Sequence, residues 1–395
     1  MGIWRSRPVD ALAMPRARPA RDSVRGDRTM HIVHVSPLDP RELEGAFERL
    51  RHAECSAALC LLAPGDSSHL LAELGDRAAR SSLPVFGGVV PGVVREGAVD
   101  RDGAVLLGLP GDVQIAVVDP ADASGIRDAV AHIARDDVGT VFAFVDVLAG
   151  TATLVETLFE RLGHRATIVG GGLGLLDFQP RPVVLGPDGL VEGRAVLAAT
   201  SLRSRSALRH GWAPISDPLL VTAAAGHDLL TLNWRPAVEA YREVVEKHAG
   251  RSLDDDFHGV ASRYPLVVDR IGAEGIVRDP LLALASGALR LAGDIPAHAT
   301  VRVAHASADT MITAAAAAMA SATAAPVSRG AVAFVVDCIS RALVLGDRFP
   351  EELAALRVPG IAQGGALTIG EIAHSGGDML HFHNKSCVLT LLEAE

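Results

Sequence analysis

Residues 140–174 read TVFAFVDVLAGTATLVETLFERLGHRATIVGGGLG, and this stretch sets the pattern for much of the chain. The continuous apolar run at 140–147 has the length and β-branched content of a buried strand. Apolar residues then recur at helical spacing over 151–162, and a second β-rich run at 166–170 ends in glycines. A strand, a helix and a strand in this order favour a sheet covered by helices.

The alternation extends to both sides, but predicted hairpins interrupt it. Residues 105–110 and 113–118 are predicted to pair across a Pro110-Gly111 turn. Further hairpins are predicted within 183–199 and within 219–234. We therefore predict an α+β fold of layered, mixed β-sheets packed with helices, in two intimately associated halves.

The domain organisation is inferred from a change in the predicted elements along the chain, from alternating strands and helices to hairpins. An N-terminal half is assigned to 30–202 and a C-terminal half to 203–395, with a boundary in the stretch 203–212. Residues 1–29 are rich in Arg and Pro and lack the apolar segment of a secretory signal. They are predicted to be a disordered extension, or a mis-assigned start ahead of a domain that opens at Met30.

Paired glycines recur after apolar residues at three places. They stand in Val85-Phe-Gly-Gly, Ile168-Val-Gly-Gly-Gly and Ile361-Ala-Gln-Gly-Gly. This weak internal similarity indicates a repeated unit of sheet. Glycines within strands mark either the close approach of another strand or the approach of a ligand, and both interpretations stay open here.

The composition describes a packed protein and argues against polyanionic partners. The chain has 395 residues, 49% of them hydrophobic and 21% charged, which is enough apolar material for more than one core. The formal net charge of −10 argues against nucleic acid and against an anionic membrane surface as partners. Aromatic residues make up 4%, so stacking platforms for single-stranded nucleic acid are not expected.

The cysteines and the apolar runs indicate the compartment. Cys55, Cys60, Cys338 and Cys387 show no CxxC spacing, and reduced thiols in a cytoplasmic protein are predicted. No run approaches the roughly 20 apolar residues of a membrane-spanning helix. The Ala-rich run at 313–325 is instead predicted to be a packed helix.

Five segments, in their order and spacing over residues 80–392, together resemble the FIST family, whose members have an N-terminal and a C-terminal half. The segments are Val169-Gly-Gly-Gly-Leu-Gly174; His210-Gly-Trp-Ala-Pro214 with Val221-Thr222, Gly226, Pro236-Ala237 and Tyr241; Cys338-Ile-Ser-Arg341 with Gly346; Gly370-Glu371-Ile372; and Phe382-His383-Asn384. The chain departs from the family pattern at Asn233-Trp234-Arg235, where an Asp-Gly turn is usual.

The resemblance implies a sensory module for small, amino-acid-like molecules, and some relatives carry haem. We therefore expect an intracellular signal-transduction protein whose output passes through a partner protein, or a protein that stores its ligand. The two halves are expected to share one ligand cavity.

The candidate ligand-binding residues lie at predicted strand ends, which converge on a cleft in many folds. Arg341 offers a planar fork for a carboxylate, and Glu371 would receive an ammonium group. Thr222 and Asn384 would add neutral hydrogen bonds, and the backbone at Gly171 and Gly172 would approach the ligand. The candidate ligand-binding residues are therefore Arg341, Glu371, His383, Asn384, Thr222, Gly171 and Gly172. The alternative is that Arg341 and Glu371 pair with each other and brace two strands.

Two further chemistries remain open. In the enzyme alternative, Cys338 is a nucleophile at a helix start, His383 is its base, and Asn384 or Glu371 orients it; otherwise Cys338 is a buried, unreactive thiol. A non-covalent haem would use His383, His381, His227 or Cys338 as axial ligand. No HExxH pattern supports a firm metal site. The glycines at 170–174 are followed by no suitable helix and acidic residue, so a dinucleotide site is rejected.

Overall fold

The computed structural model describes residues 29–254, 256–374 and 379–394. Its helices are α1 (Pro40–His52), α2 (Leu71–Ala79), α3 (Ala123–Ile133), α4 (Ala152–Leu162), α5 (Ala237–Ala249), α6 (Phe257–Ala261), α7 (Ala308–Ala322), α8 (Ile339–Leu345) and α9 (Phe349–Ala355). Short 3-10 helices stand at Ser68–Leu70, Val147–Ala149 and Gly346–Arg348.

The strands are β1 (His31–Val35), β2 (Ala57–Pro64), β3 (Val85–Val89), β4 (Gly92–Arg95), β5 (Ala98–Asp100), β6 (Asp102–Leu109), β7 (Val113–Val118), β8 (Thr140–Asp146), β9 (Thr167–Leu173), β10 (Val184–Gly186), β11 (Gly189–Val191), β12 (Ala195–Thr200), β13 (Arg203–Arg209), β14 (Ala213–Pro214), β15 (Leu219–Ala225), β16 (Asp228–Leu232), β17 (Arg235–Pro236), β18 (Leu266–Val268), β19 (Ile276–Arg278), β20 (Pro280–Ala283), β21 (Leu289–Leu291), β22 (Thr300–His305), β23 (Val332–Cys338), β24 (Ala362–Thr368), β25 (Glu371–His374), β26 (Leu380–His383) and β27 (Cys387–Glu393).

Three six-stranded sheets have one common plan. Their strand orders are β1-β6-β2-β3-β10-β11 in sheet 1, β7-β12-β8-β9-β25-β26 in sheet 2 and β13-β27-β23-β24-β4-β5 in sheet 3. Each contains one parallel pair near its centre, which is β2/β3, β8/β9 or β23/β24, and the other neighbours are antiparallel. A fourth sheet holds strands from β14 to β22. The predicted α+β fold of mixed sheets packed with helices is confirmed.

The shared plan reflects three consecutive repeat units. The first unit runs from β1 to β6, the second from β7 to β12, and the third comprises β13 and the chain from α7 to β27. Each unit forms an edge strand, a parallel pair with its crossover helix, a two-stranded hairpin and a final strand. The third unit also carries an insertion, residues 213–305, which contains the fourth sheet with α5 and α6.

Each unit donates its hairpin to a neighbouring sheet in cyclic order. The β4–β5 hairpin of the first unit joins sheet 3, β10–β11 of the second joins sheet 1, and β25–β26 of the third joins sheet 2. Sheets 2 and 3 therefore combine strands from both halves of the chain, so the halves are intimately associated.

The recurrent glycines occupy one equivalent position in the three parallel pairs. Gly87, Gly170 and Gly365 lie in register with the middle of β2, β8 and β23. A Cβ at any of the three would stand 1.8–2.2 Å from the carbonyl oxygen of the partner strand, far inside van der Waals contact. Glycine is required at these three positions because the backbone of the partner strand lies too close for a side chain.

The inner faces of the three sheets share one core. Phe86, Phe142 and Phe334 come from sheets 1, 2 and 3, with ring centroids 5.6 Å apart for the first two and 5.9 Å for the last two. Edge and tilted contacts of this kind are favoured by aromatic quadrupoles. The continuous apolar runs of the central strands are explained by burial on both faces.

The hairpin predicted across Pro110-Gly111 is wrong. β6 pairs with β1 and β2 in sheet 1, whereas β7 pairs with β12 in sheet 2, so the turn joins two sheets. The hairpin predicted within 183–199 extends only to β11, which pairs with β10, because β12 belongs to sheet 2. Among the described residues, no helix is long and apolar enough to cross a lipid bilayer.

Candidate functional site

A cleft of about 690 Å³ opens at the carboxyl ends of the third parallel pair, where that unit meets the insertion and a loop of the second unit. Its polar wall includes His227, His258, Arg263, Asp279, Cys338 and Asn384. Its apolar wall includes Leu148, Leu176, Phe178, Leu281, Leu343 and Phe382. A cavity of this size, with mainly apolar walls and a few polar groups, is typical of a small-molecule site.

The floor of the cleft presents two buried oxygen acceptors. Asn384 is 6% exposed, and its Oδ1 accepts no hydrogen bond from the described residues. The same holds for Oδ1 of Asp279, whose Oδ2 lies 2.9 Å from the Lys385 Nζ. Burial raises the pKa of Asp279, and the neighbouring Lys385 ammonium opposes that rise. Buried oxygens of this kind favour a partner that donates hydrogen bonds.

Lys385 fastens this floor to the insertion. Its Nζ donates to the Ser262 carbonyl at 2.8 Å and lies 5.3 Å from the Trp212 ring centroid. The backbone of Lys385 is left-handed, with φ of 54°, which a non-glycine residue adopts only under constraint. The side chain is therefore part of the structure of the cleft, with its charge balanced by Asp279.

Cys338 stands at the end of β23 on the wall of the cleft and is 4% exposed. Its Sγ accepts a hydrogen bond from the Ser340 hydroxyl at 3.1 Å, so its partner is that hydroxyl and not His383. Glu371 lies behind it, fully buried, with Oε2 accepting from the Ser386 amide at 3.1 Å. Burial, reinforced by Cys338 and Asp337, raises the pKa of Glu371 well above its ordinary value.

Arg341 is fully buried and acts inside the protein. It forms a bidentate pair with Glu352, with Nε to Oε1 at 2.7 Å and Nη2 to Oε2 at 2.8 Å. The remaining donors reach the carbonyls of His210, Lys385 and Met311 at 2.5, 3.0 and 3.2 Å. All the N–H donors of the guanidinium are thus used, and its carboxylate partner is Glu352 where the sequence suggested Glu371.

A second carboxyl completes this buried cluster. Asp337 is fully buried, with Oδ1 3.6 Å from the Arg341 Nε. Burial raises the pKa of Asp337 well above its ordinary value. The Glu352 carboxylate raises it further, whereas the Arg341 guanidinium lowers it. One guanidinium therefore serves two carboxyls, which favours a proton on one of them.

The other sequence candidates lie away from the cleft surface. Gly171 and Gly172 admit the backbone at Gly370 and Ile369, whose carbonyl oxygens would stand 2.6 and 2.2 Å from an added Cβ. Thr222 lies in the insertion and holds a turn, because its Oγ1 accepts from the Trp234 amide at 3.0 Å.

The histidines of β26 also lie outside the cleft lining. His383 is fully buried, with Nε2 3.3 Å from the Ala373 carbonyl, and burial lowers the pKa of His383 well below its ordinary value. His381 is half-buried, two residues earlier on β26, with its ring centroid 5.9 Å from that of His383. Within the described residues, no group of three or more His, Cys, Asp or Glu side chains is arranged to hold a metal ion.

Two family models match the chain in succession. The FIST N domain matches residues 58–235, and the FIST C domain matches residues 237–374. The chain belongs to the FIST family. No curated protein matches it. FIST domains are associated with small-ligand sensing in signal transduction.

The cleft lies where the FIST N and FIST C domains meet. Leu148 and Phe178 come from the region matched by FIST N, and Cys338 comes from the region matched by FIST C. Asn384 and Lys385 follow the matched FIST C region in sequence and complete the floor.

A haem in this cleft would be held by residues on its wall. His227 and His258 both line the cleft together with apolar side chains, and His227 Nε2 lies 3.5 Å from Asp294 Oδ1. Imidazole nitrogens are common axial ligands of haem. His383, by contrast, is buried against a backbone carbonyl. Of the histidines predicted from sequence, His227 is therefore the one placed to ligate a haem in this cleft.

Sequence reasoning missed Asp279, Lys385, His258 and Phe178. Lys385 directly follows the recognised Phe382-His383-Asn384, so the polar run interrupting the closing strands was the available signal. Asp279 is a single charge between two short strands, and nothing in its spacing identifies its partner.

Proposed function

We propose that this FIST protein is a sensory protein that binds a small ligand in the cleft between its two domains. The observation that carries the proposal is Asn384, which lines a 690 Å³ cavity and whose buried Oδ1 receives no hydrogen bond from the described residues. A buried acceptor costs about 1–3 kcal/mol when it is unsatisfied, so a ligand donor gains affinity there.

The chemistry of the walls supports an amino-acid-like ligand. Asn384 and Asp279 offer acceptors to an ammonium group, while the exposed guanidinium of Arg263 stands on the same cleft and suits a carboxylate. Arg290, also on the cleft, is held by Asp228 in an ion pair. Arg263 is therefore the better candidate for the anion.

The compartment and the output belong to the same proposal. The four cysteines are free and buried, which supports a reducing cytoplasm. We propose that the output passes through a partner protein, because ligand binding in the cleft changes the contact with that partner.

Loss of binding after Asn384→Ala tests the proposal directly. L-leucine, L-phenylalanine and haemin serve as probes in calorimetry and thermal-shift titrations. We expect at least one probe to bind with a stoichiometry of one, and Asn384→Ala to weaken it about tenfold or more, because one hydrogen bond to a buried acceptor is lost. Thr222→Val is the control and should leave affinity unchanged. The opposite pattern, with Thr222→Val alone weakening binding, would place the site beside Thr222 and away from the cleft.

A haem is the second candidate, favoured by the two histidines on an apolar wall. If haem is the ligand, adding haemin should give a Soret band that His227→Ala or His258→Ala shifts. An unshifted spectrum in both variants would exclude axial ligation from this cleft.

A further inference from the structure

Exposed apolar side chains concentrate on this one cleft. Leu148, Leu176, Phe178, Leu281 and Leu343 are between 37% and 58% exposed, and all five line it. They arrive from separate places in the fold: a 3-10 helix, the loop after β9, β20 and α8. Contiguous exposed apolar surface marks binding sites, whereas single scattered residues do not.

Phe178 adds an independent observation, because its backbone is strained. Its φ is 50°, in the left-handed region that bulky residues avoid, and its amide donates to the Leu175 carbonyl at 3.1 Å. Glycine would adopt this conformation without strain. A phenylalanine held there, 53% exposed and facing the cleft, indicates that the ring itself has a use.

The size of the cleft also indicates a ligand with a large apolar part. A volume of about 690 Å³ lies within the range of roughly 300–1,000 Å³ that holds drug-sized ligands. A small amino acid would leave most of the apolar wall in contact with water, so the walls suit a ligand with a larger apolar body.

We propose that the ligand is an amphiphile whose hydrogen-bond-donating head, an ammonium, amide or hydroxyl, meets Asn384 and Asp279. Its apolar body, of about eight carbons or more, packs on Leu148, Phe178 and Leu343. The proposal rests on the proposed function of the cleft and narrows its ligand class.

Chain length and head group are tested with simple probes. Octylamine, butylamine and octanoate are titrated by calorimetry at neutral pH. Each methylene that leaves water contributes roughly fourfold in affinity, so octylamine should bind at least tenfold tighter than butylamine even with partial burial. Octylamine should also bind at least tenfold tighter than octanoate, because the buried floor oxygens accept hydrogen bonds that a carboxylate cannot donate, whereas an ion pair with the exposed Arg263 contributes little.

Two glycine variants provide a matched pair. Phe178→Gly removes the ring and the backbone strain together, so the protein should keep its melting temperature while the octylamine-to-butylamine preference falls at least fivefold. Trp234 has φ of 61°, is 79% exposed and lies outside the cleft, so Trp234→Gly should relieve strain and leave the preference unchanged.

The outcomes separate this inference from the proposed function. Equal affinities for butylamine and octylamine, or a preference that survives Phe178→Gly, would disprove the large apolar body. Octanoate binding as tightly as octylamine would disprove the donating head. In either case, binding that depends on Asn384 leaves the proposed site in place. If no amine, amino acid or haemin binds, both proposals fall.

Discussion

The first and third repeat units share a strand order, yet the carboxyl ends of their parallel strands differ: they are apolar in the first unit and polar in the third. By the register of the equivalent glycines, Leu62 in the first unit corresponds to Asp337 in the third. Among the described residues, the first unit has no buried polar or charged side chain, whereas the third unit buries Asp337, Thr368 and Glu371. Apolar strands with glycine spacing are therefore sufficient for the topology, and the polar residues of the third unit are an addition to it.

Exchanging the equivalent residues should give the largest effect. Leu62→Asp would bury a carboxylate without a cation and remove a fully buried side chain, so we expect a loss of about 5 kcal/mol. The reverse change, Asp337→Leu, should alter the free energy of unfolding by about 1 kcal/mol or less, because Arg341 keeps its bidentate Glu352. Urea unfolding measures both. Equal losses would show that the third unit depends on its carboxyl as the first depends on its leucine.

Removing the cation of the third unit should have the next largest effect. Arg341→Leu leaves Glu352 buried without its partner and should cost about 4 kcal/mol in urea unfolding. Arg348→Leu is the matched control and should change stability little, since the ion pairs of Arg348 with Glu351 and Asp309 are exposed to solvent. If the Arg341→Leu protein is stable but binds its ligand more weakly, Arg341 takes part in ligand binding.

The three equivalent glycines should behave alike despite the chemical difference between units. Gly87→Ala, Gly170→Ala and Gly365→Ala each force a methyl group against a backbone carbonyl, and each should cost about 2–3 kcal/mol. Gly45→Ala is the control: it lies in α1 with only the Arg49 side chain at 3.7 Å, and should gain up to about 1 kcal/mol. A tolerated alanine in one unit would show that the repeat equivalence is incomplete there.

The smallest effect concerns pH. Because burial raises the folded-state pKa of Glu371, its contribution to stability is fully present below the unfolded pKa of about 4 and declines as pH rises towards the folded value. Glu371→Gln should flatten the fall in melting temperature above pH 4. Glu351→Gln is the control, since its pKa is lowered by exposed Arg348. A variant with an unchanged pH profile would show that Glu371 is ionised in the fold.

The sequence predicts much of the fold because local patterns determine it. The apolar runs gave the central strands, and the helix predicted over the Ala-rich run is present as α7. The recurrence of paired glycines indicated a repeated sheet unit, which the structure contains three times. The cyclic exchange of hairpins was not predicted, because pairing between strands that are far apart in the sequence does not affect the local spacing of apolar residues.

The candidate site was predictable only in outline. Cys338, Asn384 and His227 do line one cleft, since they follow strand ends. The direction of the Arg341 side chain depends on Glu352, a helical residue whose role sequence spacing does not reveal. Asp279 became part of the floor through its contact with Lys385, more than a hundred residues away.

The donated hairpins impose an order on biosynthesis. Val94 of the β4–β5 hairpin pairs with Gly365, so its sheet partner emerges from the ribosome roughly 270 residues later. At synthesis rates of about 5–20 residues per second, the hairpin waits roughly 15–50 s before its partner strand exists. During that interval the nascent chain shows an unpaired strand edge of the kind that chaperones cover. Synthesis of β27, which joins β13 to β23, is thus the event that closes sheet 3.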